Sequence, residues 1–205
     1  MRVTVIDYKA GNLTSVIKAI RHLGAEVEVT DGPGPLAASE RIVLPGVGHF
    51  AATSRLNESG ISPAVREAIA RGIPFLGICV GMQWLYSAST EAPNHPGLAH
   101  FSESCTRFPE GIEKVPHVGW NSLQVKPGSR LLSGVTSGEH VYFTHSYKAP
   151  VTSASVATSE YIEPFAAAVE RSNVMGVQFH PEKSGDTGLK ILHNFLEWLP
   201  QETPC

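Results

Sequence analysis

Apolar residues in the first part of the chain fall into short runs that alternate with stretches of helical spacing. Arg2 to Ile6 and the alternating Glu26 to Thr30 predict strands, and between them Leu13, Val16, Ile17, Ile20 and Leu23 recur at helical spacing until Gly24 stops them. Arg41 to Leu44 predicts a third strand, closed by Pro45-Gly46-Val47-Gly48. A helix is expected from about Pro63 to Arg71, leading through a Gly-Ile-Pro turn into the apolar run Phe75 to Ile78, a buried strand. From Gly81 onward Met82, Leu85 and Tyr86 fit another helix. Strands alternating with helices predict an α/β fold, a doubly wound, mostly parallel central sheet flanked by helices. Such sheets carry their sites at the carboxyl ends of strands. Asp7 to Asn12, Pro45 to Gly48 and Cys79 all fall at such ends.

Beyond about Ser87 the helical periodicity fades and proline, glycine and serine become more frequent. Val118 to Val125, Glu139 to Ser146, Ala154 to Thr158 and Pro164 to Glu170 predict short strands, some antiparallel, so an additional, partly antiparallel sheet region is expected in the C-terminal half. Val174 to Phe179 predicts one more strand, ending at His180. Asp186 is expected to cap a last helix whose inner face carries Leu189, Leu192, Phe195, Leu196 and Leu199. No internal repeat, low-complexity tract or dividing linker interrupts residues 1–205, so a single domain is expected.

Composition narrows the classes of function. The 205 residues are 42% hydrophobic, enough for one sizeable core, and a net charge of −3 offers no basic surface for nucleic acid or an anionic membrane. No apolar run reaches the ~18 residues of a membrane span, and Met1 leads directly into a strand rather than a signal segment. Three cysteines far apart make neither a disulfide framework nor a metal-binding pair. A cytoplasmic protein without metal or cofactor is expected. Cys105, in a loop-like stretch, and Cys205 are expected to be incidental.

The candidate chemistry centres on Cys79. Gly77 and Gly81 flank it as Gly-x-Cys-x-Gly at the joint between predicted strand and helix, the thiol form of a nucleophile elbow. Taken alone, Cys79 reads equally as one more buried cysteine of an apolar strand. A nucleophilic thiolate needs a base, and the base an orienting group. His180 and Glu182, bracketing Pro181, supply both residue types and point to the same side of an extended segment. Singly, they read as a packed strand-end histidine and a solvated carboxylate. The three together favour a Cys79–His180–Glu182 triad. Attack on a carbonyl creates an oxyanion that needs backbone N–H donors. Val80 is one candidate, and Val47 or Gly48 in the Pro45–Gly48 loop the other. The competing reading of that loop is a phosphate cradle, but the fuller glycine-rich nucleotide patterns are absent.

Pro-Gly-Val-Gly at 45–48, Gly-Ile-Cys-Val-Gly-Met-Gln at 77–83 and Gly-Val-Gln-Phe-His-Pro-Glu-Lys-Ser at 176–184 resemble the class I, triad-type glutamine amidotransferases. Asp7-Tyr-Lys-Ala-Gly-Asn-Leu13, Lys114-Val-Pro-His-Val-Gly-Trp-Asn121 and Phe143-Thr-His-Ser-Tyr147 narrow the resemblance to the glutaminase subunits of imidazole glycerol phosphate synthases, and the similarity runs over nearly the whole chain. The resemblance implies hydrolysis of glutamine through a thioester on Cys79. Gln83, Glu91 and the backbone around Ser146 and Tyr147 would hold the amino-acid end of glutamine. It also implies a heterodimer with a cyclase subunit, a (β/α)8 barrel that takes the ammonia, with Asn12, Pro116, His117, Trp120 and Lys183 towards that partner and low glutaminase activity without it. The sequence departs from the family pattern at Val80, Lys9, Ser87 to Thr90 and Leu98 to Phe101. Alternatives are a glutaminase for another acceptor (anthranilate or pyridoxal phosphate synthesis), a non-catalytic flavodoxin-like binding module, and, more distantly, a cysteine peptidase.

Overall fold

The computed structural model describes residues 1–10 and 13–199. In chain order the elements are β1 (Arg2–Ile6), α1 (Leu13–His22), β2 (Glu26–Thr30), β3 (Arg41–Gly46), α2 (Ser54–Glu58), α3 (Ile61–Ala70), β4 (Phe75–Cys79) and α4 (Val80–Gln83). There follow β5 (Ala88–Ser89), β6 (Ser104–Arg107), β7 (His117–Ser122), β8 (Gln124–Val125), β9 (His140–His145) and β10 (Tyr147–Lys148). The chain then runs through β11 (Ser155–Tyr161), β12 (Glu163–Arg171), β13 (Val174–Val177) and α5 (Gly185–Leu196).

The main sheet has eight strands in the order β2-β1-β3-β4-β13-β12-β11-β8. β2, β1, β3, β4 and β13 run parallel, whereas β12, β11 and β8 continue antiparallel. Strand order reverses at β1: the chain goes outward to β2, then back past β1 to β3. With right-handed crossovers, α1 and α3 must lie on opposite faces of the sheet. The strands of this double-faced centre are near-continuous apolar runs, as burial on both sides requires: β3 and β4 are buried throughout. Two smaller sheets, β10-β6-β5 and the ribbon β7-β9, stand beyond the main one.

Several boundaries differ from the sequence reading, each for a local reason. The helix after Cys79 ends at Gln83, and Trp84, Leu85 and Tyr86 turn instead into a fully buried bend. Their apolar spacing therefore reflects burial on all sides rather than a helical face. Val118–Val125 is interrupted, with Ser122 ending one strand and Leu123 hydrogen-bonded to Glu139. Cys105 lies in β6, fully buried, not in a loop. Asp186 sits inside the first turn of α5 while Ser184 holds the cap position, and Ser184 turns its hydroxyl back to the His180 carbonyl. On α5 the buried residues include Ile191, Leu192, Phe195 and Leu196, whereas Leu199 falls beyond the helix and is exposed.

Backbone packs very closely at the β3–β4–α4 crossing. A Cβ placed on Gly81 would stand 1.9 Å from the Leu44 carbonyl oxygen, and one on Gly77 would stand 2.4 Å from the Gly81 carbonyl oxygen. Both obstacles are backbone, so neither can swing away. Gly81→Ala is expected to destabilise the protein by about 1–3 kcal/mol or more. Urea unfolding should show a lower midpoint at unchanged slope. Gly32→Ala, where a Cβ would meet nothing within 4 Å, is the control and should stay within about 0.5 kcal/mol.

Candidate active site

Strand register brings the predicted motifs together. Gly46 pairs with Cys79 across β3 and β4, and Val177 pairs with Ile78 across β13 and β4. The loop after β3, the elbow after β4 and the segment after β13 therefore leave the sheet side by side. Cys79 has φ 54° and ψ −111°, a left-handed φ that a non-glycine residue holds only where its surroundings impose it. That turn lifts the side chain off the strand to the floor of a cavity of about 230 Å³. Val47, Gly48, Cys79, Val80, Gln83, Glu91, Pro116, Thr144, His145, Ser146 and Tyr147 line it. A larger hollow of about 740 Å³ lies between residues 125–135 and the end of α5. It contains no paired nucleophile and base, so the chemistry favours the smaller cavity.

Beside Cys79, His180 is buried with its Nδ1 3.0 Å from Glu182 Oε1, and the Glu182 side chain is only 3% exposed. The contact is made by a single 3-10 turn, Pro181–Lys183, rather than by an extended segment. The His180 N–H donates to the Tyr142 carbonyl of β9, and the Ser184 hydroxyl donates to the His180 carbonyl. A carboxylate accepting from Nδ1–H leaves Nε2 as the basic nitrogen facing away from it. Among the described residues Nε2 is buried without a hydrogen bond of normal geometry, and the Cys79 sulfur stands close enough to favour the charged ring. Burial alone would push the His180 pKa down, but the Cys79 sulfur and Glu182 outweigh it and push it up to about 9.

The other predicted residues separate by position. Glu91 accepts from the Phe50 amide at 2.8 Å, which ties it to the loop after Gly48 rather than to open solvent. Gln83 donates to the Tyr147 carbonyl at 2.9 Å. Trp120 and Lys183 are exposed, and the Lys183 ammonium lies 5.8 Å from the centre of the Tyr142 ring, which Trp120 meets edge-on. His117 departs from the expectation of a partner-facing position. It is 3% exposed and stacked between Phe143 and Tyr161. Strand pleating explains this: on β7, residues 117 and 120 have opposite parity and point to opposite faces. Pro116 lines the cavity itself, and Asn12 lies outside the described residues.

Sequence reasoning passed over three neighbours of the sulfur and one further cavity residue. The Thr144 carbonyl accepts from the Cys79 thiol at 3.9 Å, and Gln178 Nε2 stands 3.7 Å from the sulfur. The Tyr8 hydroxyl is buried without a hydrogen-bond partner among the described residues, its pKa raised by burial and by the nearby Cys79. His145 lines the cavity. Tyr8, Gln178 and His145 all sit inside the motifs quoted above, but a motif does not say which way a side chain turns. Among the described residues no cluster of histidine, cysteine and carboxylate groups stands ready to hold a metal ion, and no helix is long and apolar enough to cross a membrane.

The chain is similar to known proteins over nearly its whole length. Residues 4–198 match the family model described as glutamine amidotransferase class-I. The chain is 46% identical over 198 residues to the imidazole glycerol phosphate synthase subunit HisH of Moorella thermoacetica, covering 95% of this chain and 94% of that one. To the protein of the same name from Chloroflexus aurantiacus it is 43% identical over 208 residues, covering 98% of each. Among solved structures, a crystal structure of a glutamine amidotransferase superposes with TM-score 0.74 at 21% identity, covering 94% of this chain and 98% of that one. The structure of PurLQS from Thermotoga maritima gives 0.73 at 19%, covering 95% and 97%. These two share the fold.

Because the His180 pKa is raised, its stabilising contribution is full below the ordinary histidine value of 6.5 and is lost as pH climbs through about 9. Glu182→Gln is expected to lower the imidazole's titration midpoint, followed by NMR, and to shrink the loss of thermal stability across that interval.

Proposed function

The chain belongs to the class-I glutamine amidotransferases and, within them, to the HisH subunits of imidazole glycerol phosphate synthase, and we propose how its residues carry out that function. It is the glutaminase subunit of the synthase and acts in histidine biosynthesis. Hydrolysis starts with the Cys79 sulfur as thiolate and His180 as imidazolium. The sulfur attacks the side-chain amide carbon of glutamine, and charge moves to the carbonyl oxygen. Val80, as the first residue of α4, has an N–H with no acceptor inside its helix. That N–H and one from Val47 or Gly48 are the donors for the oxyanion. His180 gives its proton to the departing nitrogen, and ammonia leaves. Neutral His180 then takes a proton from water, which cleaves the thioester to glutamate. Glu182 keeps the ring in the tautomer that these transfers need.

The observation that carries this reading is a cysteine in a forced left-handed turn at a cavity floor, next to a buried histidine–carboxylate pair. Gln83, Glu91, Ser146 and Tyr147 line the same cavity, and we assign them to the amino-acid end of glutamine. Removing the nucleophile or the base of such a unit costs on the order of 10⁶ in turnover. Cys79→Ala and His180→Ala should therefore abolish glutamine hydrolysis. A glutamine-like chloroketone should label the wild-type chain at Cys79 alone; labelling elsewhere, or activity surviving in Cys79→Ala, refutes the assignment.

The relatives are named as subunits, and ammonia is a nucleophile only while unprotonated, so direct delivery to an acceptor site favours a bound partner. We assign that partner as the cyclase, a (β/α)8 barrel, docking on the face that carries Trp120, Val118 and Lys183. Trp120 and Val118 are each 56% exposed on the outward side of β7, and tryptophan is enriched among residues that dominate interfaces. Trp120→Ala should weaken subunit association by about tenfold or more, equivalent to at least ~1.4 kcal/mol, in titration calorimetry, while leaving the chain's own melting temperature unchanged.

A further inference from the structure

Gln178 follows directly on β13 and is fully buried next to Cys79. A buried amide is costly unless its donors and acceptor are used. Here Nε2 reaches the Cys79 sulfur at 3.7 Å, and Oε1 accepts from Gln83 Nε2 at 3.1 Å. The second Gln83 hydrogen goes to the Tyr147 carbonyl at 2.9 Å, and the same carbonyl accepts from His145 Nδ1 at 2.8 Å. Since a carbonyl only accepts, His145 carries its hydrogen on Nδ1 and offers a lone pair at Nε2. His117 Nδ1 must then be the donor across the 3.1 Å contact between the rings, and its Nε2 accepts from Asn121 at 3.4 Å. Burial pushes the His145 pKa down to about 3 and that of His117 to about 4, so both rings are neutral. One carbonyl thus sets the direction of every hydrogen bond from Asn121 inward, and Gln83 and Gln178 carry the row from that carbonyl to the sulfur.

The two contacts at the sulfur are not equivalent. The Thr144 carbonyl can accept from the thiol but can only repel the thiolate. Gln178 Nε2 donates to either form, and to the charged form more strongly. We propose that Gln178 is a positioning residue for the nucleophile: its amide N–H orients the Cys79 sulfur, and its amide oxygen locks that sulfur to Gln83, so nucleophile and cavity wall are held as one unit. The proposal rests on the reading of Cys79 as the nucleophile. Gln178 does not line the cavity, so it makes no contact with glutamine itself, and its effect runs through the sulfur and through Gln83.

The test uses Gln178→Met, close in volume but without the amide, and Gln178→Asn, which keeps an amide that falls short of the sulfur. A hydrogen bond to a charged group is worth about 1.5–3 kcal/mol. In the assembled synthase, kcat for glutamine hydrolysis should fall roughly 10- to 100-fold, beyond any rise in KM that the loosened Gln83 adds. Alkylation of Cys79 by iodoacetamide should slow at neutral pH, and the midpoint of the Cys79–His180 pair should move up by about one pH unit. Tyr8 and His180, the titratable groups that interact with the sulfur, and Glu182 against His180 are unchanged in both variants. Wild-type kcat with an unshifted alkylation profile in either folded variant overturns the proposal, as does a rise in KM alone. If the wild-type chain itself is not labelled at Cys79 by the chloroketone, the nucleophile assignment fails instead, and the two failures are told apart.

Discussion

The close approach of β3, β4 and α4 is the constraint on which the site depends. Glycine at 77 and 81 lets α4 lie directly on the Leu44 carbonyl. The chain then has no room to leave β4 by an ordinary turn, and Cys79 takes a left-handed φ. Such a conformation costs about 1–3 kcal/mol in a non-glycine residue. Buried apolar strands on both sides hold it in place. The same crossing sets the height of the sulfur, puts the Val80 amide beside it and aligns Gly46 with Cys79. Packing energy is thereby converted into the placement of reactive groups.

Burial then acts on three histidines with different results. His180, His145 and His117 are each no more than 6% exposed. Burial favours the neutral ring in all three. His180 also faces the Glu182 carboxylate and the sulfur, and their attraction for the charged ring wins, so its pKa rises to about 9. His145 has a carbonyl and another imidazole as neighbours, which can bond a neutral ring but do little for a cation, so its pKa falls to about 3. What separates a base from a rigid spacer here is the charge on the group facing it.

Much of this was legible in the sequence, and the limits have physical causes. The central parallel strands were readable because a strand buried on both faces must be a short apolar run, and β1, β3 and β4 lie where such runs lie; the edge strand β2 was readable from its alternation instead. The elbow was readable because only glycine tolerates that crowding on both sides of one cysteine. The bend at Trp84 to Tyr86 was not, since side chains buried on every side carry no period. His117 was misplaced because a motif names residues without the pleat that decides which face each occupies. Gln178 was invisible for a related reason: an amide between two apolar residues reads as a core exception until the atoms it touches are known.

β7 brings these strands of reasoning together. Its outward face presents Val118 and Trp120, and its inward face holds His117 and Asn121 within the polar row. Successive residues of a strand share one backbone, so the strand cannot shift on one face without shifting on the other. The inward face is held by hydrogen bonds of 3.1 and 3.4 Å and by a ring stacked on its neighbours at 4.1 and 4.9 Å. A neutral imidazole offers one donor and one acceptor, and His117 uses both. A tilt of β7 therefore cannot exchange one partner for another; it breaks the row or moves it as a body. The element that meets the partner in our assignment is, for this reason, among the least free to move independently of the residues that surround Cys79.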